Sequence, residues 1–458
     1  MKLRESNRIE TIVSEEDTPE RQRLLKVKEE LNRTLSRDNP EERADWLIAE
    51  EPFELPDNAI EKMRKAGPAL KRFFEVANAL FLREPWIQSR LEKRMTPNYA
   101  LLNRAQPDAL PLMPRPDVVF DRDWNPKFVE LEITVCARYD TAAMAELYGL
   151  DGDNGLIRNY AEAFKRRWPG KTLALLTAPH PIWWYIIDEA IPIAARLQRE
   201  GVDALAIGGE ELASLHFDGE RLLLRQPDGN EKQIHVFDRF IDIYEIAEMT
   251  HPGMAPLLDA YFAGAVQSIN TCKQSLDEKE WMCLFWDPEL RSTWKQELGD
   301  EHDTLLREMM PRTWRVEPGA VIELVSGKLV PMEQLGSLPA EDRSFVLKES
   351  GTSSTSSGAQ SLRILSELDA EAAQSAVEGA FANHTTSPFI LQEIIESPRI
   401  SFTALNTRDG DKLVTQHGAR MKLSVFYVDG KMTNVKFIAS NGSFAVNWSD
   451  CVEGMVQY

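Results

Sequence analysis

The 458-residue sequence is poor in cysteine and has no long apolar run. Its four cysteines lack CxxC spacing, which argues against a structural zinc site or a dense disulfide framework and favours a reducing, cytoplasmic compartment. No run of about 18 apolar residues occurs, and the N-terminus has no apolar signal core. We therefore expect neither secretion nor a membrane partner.

Basic residues are in deficit. Lysine and arginine number 53 against 73 acidic residues, which gives a formal net charge of −20. A nucleic-acid backbone would be repelled by the average surface, so nucleic acid is not an expected partner. The sequence also has no GxGxxG pattern, which leaves a dinucleotide-binding fold without support.

The pattern of apolar residues changes along the chain. Apolar positions at spacings of three and four predict a helical region over residues 1–110. A hairpin pattern lies within residues 111–150, and alternating helix and strand patterns over residues 151–260 predict a parallel sheet flanked by helices. Residues 261–458 combine helices with antiparallel strands joined by Asp-Gly turns. The expected fold class is therefore α/β and α+β, with several domains.

The hairpin pattern concentrates acidic residues. Two short strands, residues 117–120 and 127–135, are joined by an Asp/Asn/Pro turn. Asp117 lies on the first strand, and Glu130 and Glu132, two positions apart, project from one face of the second. Three carboxylates on one face need a cation between them, and ligation by oxygen alone suits magnesium. The same spacing is equally compatible with acids that face water on an edge hairpin.

A second motif combines a lysine with a run of small residues. A short strand ends at Lys348, and the following segment, residues 349–359, consists of glycine, serine and threonine between Glu349 and Ala359. Small side chains let backbone N–H groups approach the oxygens of a phosphate, and the lysine supplies a fixed cation. Such a segment could form a flap over a nucleotide, although the composition is also typical of a solvated linker. Arg115, on the same predicted strand face as Asp117, is suited to bidentate contact with a phosphate or carboxylate.

The order of these motifs resembles the ATP-grasp superfamily, in particular the circularly permuted branch that contains glutathionylspermidine synthetase-like carboxylate–amine ligases. In that branch an Arg-x-Asp strand and a Glu-x-Asn strand precede the lysine, the flap and the hinge. Arg115 with Asp117 matches the first strand. Glu130 with Glu132 matches the second, except that Glu132 replaces the asparagine. The resemblance extends from residue 115 to the C-terminus.

The resemblance implies roles for individual residues. It implies magnesium ligation by Asp117, Glu130 and Glu132. It implies catalytic roles for Arg115, Lys348 and Arg420. It implies ATP contacts, including a flap and an adenine hinge, by Lys279, Lys348, Gly351, Ser353, Ser354, Gly358, Gln392, Glu393, Ile394 and Ile395. Lys422, Lys436 and Asn447 lie on the closing strands, where family members carry phosphate and metal contacts.

The resemblance also assigns a role to each region. Residues 111–150 would contribute a metal-binding hairpin to the ATP-grasp core. Residues 151–260 would form a substrate domain, and residues 261–458 would form the nucleotide-binding portion.

The activity implied by the resemblance is joining of a small-molecule carboxylate to an amine, with ATP and Mg²⁺ as cofactors. The reaction would pass through an acyl phosphate and release ADP and phosphate. Two other classes use similar residues: a nucleotide-binding partner protein without catalysis, and a magnesium-dependent, restriction-endonuclease-like nuclease. The nuclease pattern requires a lysine where Glu132 stands. The identity of both substrates and the formation of a homo-oligomer stay open.

Overall fold

The computed structural model describes residues 13–14, 18–35, 47–93, 95–133, 138–177, 186–240, 246–351, 361–406, 410–440, 446 and 451–458. Within these ranges the protein is a mixed α/β chain with several sheets, which agrees with the class predicted from the sequence.

Helices occur along the whole described chain. The α-helices are α1 (Pro19–Leu35), α2 (Asp57–Arg83), α3 (Pro85–Leu91), α4 (Pro97–Ala105), α5 (Arg138–Leu147), α6 (Leu156–Arg167), α7 (Ile186–Arg199), α8 (Met254–Phe262), α9 (Glu280–Trp286), α10 (Arg291–Leu298), α11 (Asp300–Met309) and α12 (Ala370–Ala382). Short 3₁₀ turns cover Gly209–Ser214, Gln274–Asp277, Pro288–Leu290, Met332–Ser337 and Ala340–Asp342. None of the described helices is both long and apolar enough to cross a bilayer.

The strands build several separate sheets. They are β1 (Val13–Ser14), β2 (Leu47–Ala49), β3 (Phe53–Glu54), β4 (Arg115–Phe120), β5 (Pro126–Glu132), β6 (Thr172–Thr177), β7 (Asp203–Gly208), β8 (Leu215–Phe217), β9 (Leu222–Arg225), β10 (Glu231–Ile234), β11 (Val236–Phe240), β12 (Gln267–Ser268), β13 (Thr313–Arg315), β14 (Val321–Glu323), β15 (Leu329–Pro331), β16 (Phe345–Glu349), β17 (Arg363–Ile364), β18 (Phe389–Glu393), β19 (Ile400–Asn406), β20 (Lys412–Val428), β21 (Lys431–Ser440) and β22 (Val452–Gln457).

Among the described residues, the largest sheet has nine strands and joins distant parts of the sequence. Its main order is β19-β2-β22-β21-β20-β4-β5, while β1 pairs with β20 and β3 pairs with β22. The β20–β21 hairpin turns at Asp429 and Gly430, whose φ angles are 51° and 81°. Two positive φ angles suit the twist of a tight hairpin, and an Asp-Gly pair tolerates them. The antiparallel hairpin predicted from this pair is therefore present.

A second sheet, β12-β11-β6-β7, is parallel. Helix α7 connects β6 to β7, as the alternating sequence pattern predicts. The apolar pattern over residues 231–246 predicts one further strand, and this prediction was wrong: the described residues 231–240 divide into β10 and β11, which belong to different sheets. The chain changes partner at His235, and alternation along one segment cannot reveal which neighbouring strands it pairs with.

A third sheet, β13-β18-β16-β17, is antiparallel and carries Lys348 on β16. Phe345, Leu347 and Leu391 are buried in its core together with residues of helix α12. Helix α12 begins after Asp369, whose side chain accepts a hydrogen bond from the Ala372 N–H at 2.8 Å. This cap satisfies a backbone donor that the helix itself leaves open.

The long helix α2 packs against the largest sheet and against α10 and α11. Its buried face follows the spacing of three and four that predicts an amphipathic helix. Phe73 stacks on Trp294 of α10, with ring centroids 5.0 Å apart. Gly67 lies against the carbonyl of Gly430, where an added Cβ would come within 2.0 Å of the oxygen. The helix therefore supports the β20–β21 turn directly.

Candidate functional site

The hairpin of β4 and β5 brings the predicted acidic residues together. Asp117 lies directly opposite Glu130, and Arg115 lies directly opposite Glu132. Opposed residues of an antiparallel pair project to the same face, so these four side chains share one surface of the largest sheet. The first strand begins at Arg115 instead of Asp117. The predicted end of the second strand, Val135, lies outside the described residues.

Each hairpin acid lies beside a basic side chain, and Arg115 lies beside two of them, with its Nε 3.9 Å from Asp117 Oδ1. Lys422 on β20 places its Nζ 2.7 Å from Asp117 Oδ2. Lys279, at the start of α9, places its Nζ 2.9 Å from Glu130 Oε1. Arg115 contacts Glu132 across the strand pair. The cations between these carboxylates are therefore supplied by the chain itself.

Lys348 reaches the same place from the third sheet. Its Nζ donates to the Val129 carbonyl at 3.1 Å and to Gln392 Oε1 at 2.9 Å. Gln392 is fixed in turn, because its Nε2 donates to Thr313 Oγ1 at 3.2 Å. Burial lowers the pKa of Lys348 to about 8 against the opposing charge of Glu130. The lysine is therefore held at the junction of the two sheets.

The pKa values of the two glutamates of β5 are shifted in opposite directions. Burial opposes ionisation of Glu130, but the charges of Lys279 and Lys348 outweigh it and lower its pKa to about 2. Burial raises the pKa of Glu132 to about 8 against the charge of Arg115, and Asp117 adds to the increase. At neutral pH Glu130 is therefore ionised, whereas Glu132 is largely protonated.

The N-terminal root of the predicted flap is anchored to the residues around Lys279. Ser350 donates to Glu278 Oε2 at 3.0 Å, and its Oγ accepts the Glu280 N–H at 3.2 Å. Gly351 follows with a φ of 108°, a conformation that favours glycine. The other predicted flap contacts, Ser353, Ser354 and Gly358, lie outside the described residues, as does Asn447.

The predicted adenine hinge is bonded within the protein. The Glu393 N–H donates to the Arg312 carbonyl at 3.0 Å, and the Ile394 N–H donates to the Ser344 carbonyl at 3.2 Å. Ile395 follows directly after them and is half-buried. The side chain of Gln392 accepts a hydrogen bond from Lys348 and donates one to Thr313. The structure thus links this segment to Lys348, and its role in reading adenine stays a prediction.

Arg420 lies on β20, two positions before Lys422, and therefore on the same face of the sheet. Its charged neighbours are Arg399, Glu367 and Glu396, and burial, together with Arg399, lowers its pKa. It belongs to a group of charges beside the hairpin cluster. Its predicted catalytic role stays untested.

Whether a metal ion fits here depends on whether these acids bind it or stay paired with basic side chains. They supply the oxygen atoms that magnesium prefers, and Asp117 Oδ1 is buried without a hydrogen bond among the described residues. However, the described residues contain no group of three or more acidic, cysteine or histidine side chains placed to hold a metal. As it stands, the arrangement is a cluster of ion pairs that could release its acids to a metal.

Two contacts of the cluster were not predicted from sequence. The sequence places Lys422 on a closing strand without indicating its partner, and it indicates no contact between Ser350 and Glu278. The alternation of Arg420 and Lys422 along β20 is a signal that both face one surface. Nothing in the sequence pairs Ser350 with Glu278, because 72 positions separate them.

The mixed α/β fold is similar to folds seen in solved structures. One of these is a glutathione synthetase-like effector from Globodera pallida, with a TM-score of 0.58 and 12% identity over 96% of this chain and 98% of the other. A protein from Methylobacillus flagellatus assigned as a gamma-glutamylcysteine synthetase gives a TM-score of only 0.39, with 12% identity over 86% of this chain and 85% of the other. No family model and no curated protein matches the sequence. The first likeness shows the fold alone.

Proposed function

We propose that this protein is an ATP-dependent ligase that joins a carboxylate to an amine. The observation that carries the proposal is the convergence of four basic side chains from distant segments on one face of the largest sheet. These are Arg115, Lys279, Lys348 and Lys422. They gather in a protein whose net charge is −20, so they mark a place where an anion is attracted against the field of the whole molecule.

The charge balance of the cluster supports a polyanionic ligand. Glu132 is largely uncharged at neutral pH because its pKa is raised to about 8, mainly by burial. Glu130 is negative because nearby lysines lower its pKa to about 2 in spite of its burial. Asp117 lies opposite it, and Asp277, which accepts the Ile133 N–H at 2.7 Å, lies close by. The four basic side chains still outnumber these acids. A triphosphate would complete the neutralisation.

Binding of MgATP would require an exchange of partners. Phosphate oxygens would take Lys279 and Lys422 away from their acids. The released carboxylates of Asp117 and Glu130 would then face the ligand with the hard oxygen atoms that Mg²⁺ prefers. When bound, the ion would offset the negative charge of the phosphates. Asp117 Oδ1, which is buried without a hydrogen bond among the described residues, supports this assignment.

The chemistry follows from the substrates. A carboxylate does not react with an amine at neutral pH because its leaving group would be oxide, so it must first become an acyl phosphate. Lys348 would balance the charge of the phosphoryl group during transfer, and Arg115 or Arg420 would hold the acyl phosphate. The predicted flap after Gly351 would exclude water, which otherwise hydrolyses this intermediate.

The likeness in fold to a glutathione synthetase-like effector agrees with this proposal, since a synthetase joins two substrates. A nucleotide-binding partner protein without catalysis is the second candidate. Glu132 favours it, because a carboxyl group replaces the asparagine of the family pattern. A nuclease is disfavoured by the net charge of −20 and by the absence of the lysine that its pattern requires at position 132.

Calorimetry and product release separate the candidates. Titration of the full chain with MgATP and with duplex DNA should show binding of MgATP only. Phosphate and ADP release should then be measured across pairs of acids and amines drawn from amino acids, small peptides and polyamines. A ligase releases ADP only when both substrates are present, whereas an inactive binder releases none. Binding of DNA without MgATP binding would overturn the proposal.

A further inference from the structure

A second group of buried charges lies beside the hairpin cluster on the same sheet. Lys436 on β21 is directly opposite Ser424 on β20, and Ser424 is directly opposite Asp117 on β4. Neighbouring strands are about 4.8 Å apart, so Lys436 lies about 10 Å across the sheet from Asp117. The two groups therefore share one continuous polar surface.

Lys436 holds this second group to the sheet. It contacts Asp140 of helix α5, and its Nζ lies 2.6 Å from Glu453 Oε2 on β22. All three side chains are buried. Asp140 and Glu453 raise the pKa of Lys436 in spite of its burial. In this part of the second group, the lysine and the two acids are paired with one another.

Arg138, the first residue of α5, is less completely paired. Its Nη1 contacts Asp238 of β11, which also accepts a hydrogen bond from the Tyr160 hydroxyl at 2.6 Å. Its guanidinium lies 4.1 Å from the centre of the Phe240 ring. The side chain is only 1% exposed, yet its Nε and Nη2 have no hydrogen-bond partner among the described residues. The buried guanidinium of Arg138 therefore has two nitrogen donors that a bound ligand can accept hydrogen bonds from.

Glu189 of helix α7 has an open acceptor, which complements the open donors of Arg138. It is 2% exposed, and its Oε1 accepts the Tyr139 N–H at 2.5 Å. Its Oε2 has no partner in the part of the chain that the structure describes. Burial, followed by the charge of Asp140, raises the pKa of Glu189 to about 7, while Arg138 and Lys436 act in the opposite direction.

Arg138 and Glu189 are close enough to influence each other electrostatically, because each one stabilises the charged form of the other. Arg138 Nε and Nη2 are not hydrogen-bonded to Glu189 Oε2. A buried polar atom without a hydrogen-bond partner lowers stability by about 1–3 kcal/mol. Open donors on a cation beside an open acceptor on a carboxylate therefore indicate a ligand that carries both a negative and a positive group. An α-amino acid carries a carboxylate and an ammonium on one carbon, and a guanidinium binds a carboxylate with two parallel hydrogen bonds.

We propose that Arg138 and Glu189 bind the carboxylate and the ammonium of an amino acid, which serves as the amine substrate. This inference rests on the proposed ligase function for its catalytic meaning, but the binding itself can be tested separately. Lys436 connects the two sites, because its charge acts on Glu189 and it lies about 10 Å across the sheet from Asp117. The carboxylate activated at the phosphate-binding cluster would extend over this gap toward the amine.

The proton balance of the step assigns Glu189 a second role. The ammonium transfers one proton to the Glu189 carboxylate, and the nitrogen lone pair is then free. This lone pair forms the bond to the carbonyl carbon of the acyl phosphate while the bond from that carbon to the phosphate oxygen breaks. Phosphate leaves with the electron pair of the broken bond and takes up the second nitrogen proton. Glu189 later returns its proton to solvent.

Calorimetry on the full chain tests the binding. The twenty standard amino acids are titrated with and without MgATP, and each one that binds is compared with its amide and its N-acetyl derivative. A site built for both charges should bind each derivative at least about a hundredfold more weakly, since either loss leaves a buried group unpaired. Equal binding of the derivatives, or binding of none of the twenty, would overturn the inference. Lack of MgATP binding would instead contradict the ligase function.

Two variants localise the site. Glu189→Gln keeps the shape of the side chain and removes its charge, and Arg138→Lys keeps a cation beside Asp238 but removes the planar fork. Each should weaken binding of the amino acid at least about tenfold. Glu162→Gln, an exposed change on α6, should leave it unaltered. If Arg138→Lys does not fold, Glu189→Gln decides the matter, and unaltered amino-acid affinity in that folded variant refutes the site.

Discussion

Lys422 Nζ lies 2.7 Å from Asp117 Oδ2, although 305 positions separate the two residues in sequence. The contact is possible because β20 pairs with β4, with Leu423 opposite Val118 and Ser424 opposite Asp117. The acidic hairpin and the C-terminal strands thus form one sheet. The candidate site therefore depends on the correct pairing of two remote segments.

Replacement of Lys348 by alanine should abolish ATP turnover. The change removes the cation at the junction of the two sheets and leaves the Gln392 amide oxygen without its donor. Loss of one preorganised electrostatic contact typically lowers kcat by about 10²–10³-fold. The measurement is ADP release under the conditions that give activity in the wild type.

The matched control is Lys328→Ala, because Lys328 is exposed on the β14–β15 hairpin. This variant should retain full turnover. Circular dichroism should show that both variants are folded. Full activity in folded Lys348→Ala would remove Lys348 from the mechanism.

Asp117→Asn and Glu130→Gln should each weaken the binding of the magnesium that supports activity. Both changes keep the size of the side chain but remove the charge that we assign to ion binding. We expect the Mg²⁺ concentration for half-maximal activity to rise by about 10–100-fold. Removal of the metal with EDTA should stop turnover in the wild type.

Asp123→Asn, an exposed change in the turn of the same hairpin, serves as the control and should leave the Mg²⁺ requirement unaltered. If Asp117→Asn and Glu130→Gln behave like this control, the hairpin does not hold the metal.

Local features of the fold could be predicted from the sequence because short-range physics decides them. The Asp429-Gly430 pair tolerates positive φ and predicts a tight hairpin, and the apolar spacing of α2 predicts its buried face. The hairpin that carries Asp117 and Glu130 was predicted from alternation and turn residues alone. Each of these signals lies within about thirty consecutive residues.

Features that depend on remote contacts could not be predicted. Helical periodicity places Glu189 on an ordinary helix, and no sequence pattern distinguishes Arg138. Only the packing of α5 against α7 brings the two side chains close enough to influence each other electrostatically. The protonation of Glu132 likewise depends on burial and on the charges of Asp117 and Asp277, which no spacing reveals. The division of residues 231–240 between two sheets has the same cause, since the partner strands decide it.

Gly67→Ala should destabilise the protein. An added Cβ would lie 2.0 Å from the carbonyl oxygen of Gly430 and 2.9 Å from the Tyr427 ring, and a backbone atom cannot rotate away. Overpacking of this kind typically costs about 1–3 kcal/mol. The free energy of unfolding in urea measures the loss.

Gly379→Ala on α12 is the matched control, because a Cβ there meets nothing within 4 Å. Since alanine is the better helix former, this variant should gain up to about 1 kcal/mol of stability. A similar response of the two variants would show that α2 does not press on the β20–β21 turn.

Glu278→Gln should change how stability depends on pH. Burial, followed by the charge of Glu280, raises the pKa of Glu278 from 4.5 to about 8. Between these values the folded protein binds a proton that the unfolded chain releases, so the contribution of Glu278 to stability falls as pH rises. The loss is at most about 1.4 kcal/mol per pH unit, and it ends near pH 8.

Glutamine can still accept the Ser350 hydroxyl but has no proton to lose, so Glu278→Gln should gain stability relative to the wild type as pH rises from about 4.5 to 8. Urea unfolding of both proteins at pH 5 and pH 8 measures this difference, and contributions from Glu132 and Glu189 cancel because both proteins contain them. Exposed Glu289→Gln should show no such trend. An identical pH dependence of wild type and Glu278→Gln would mean that Glu278 is ionised in the folded protein, and the anchor of the flap root would then be a charged one.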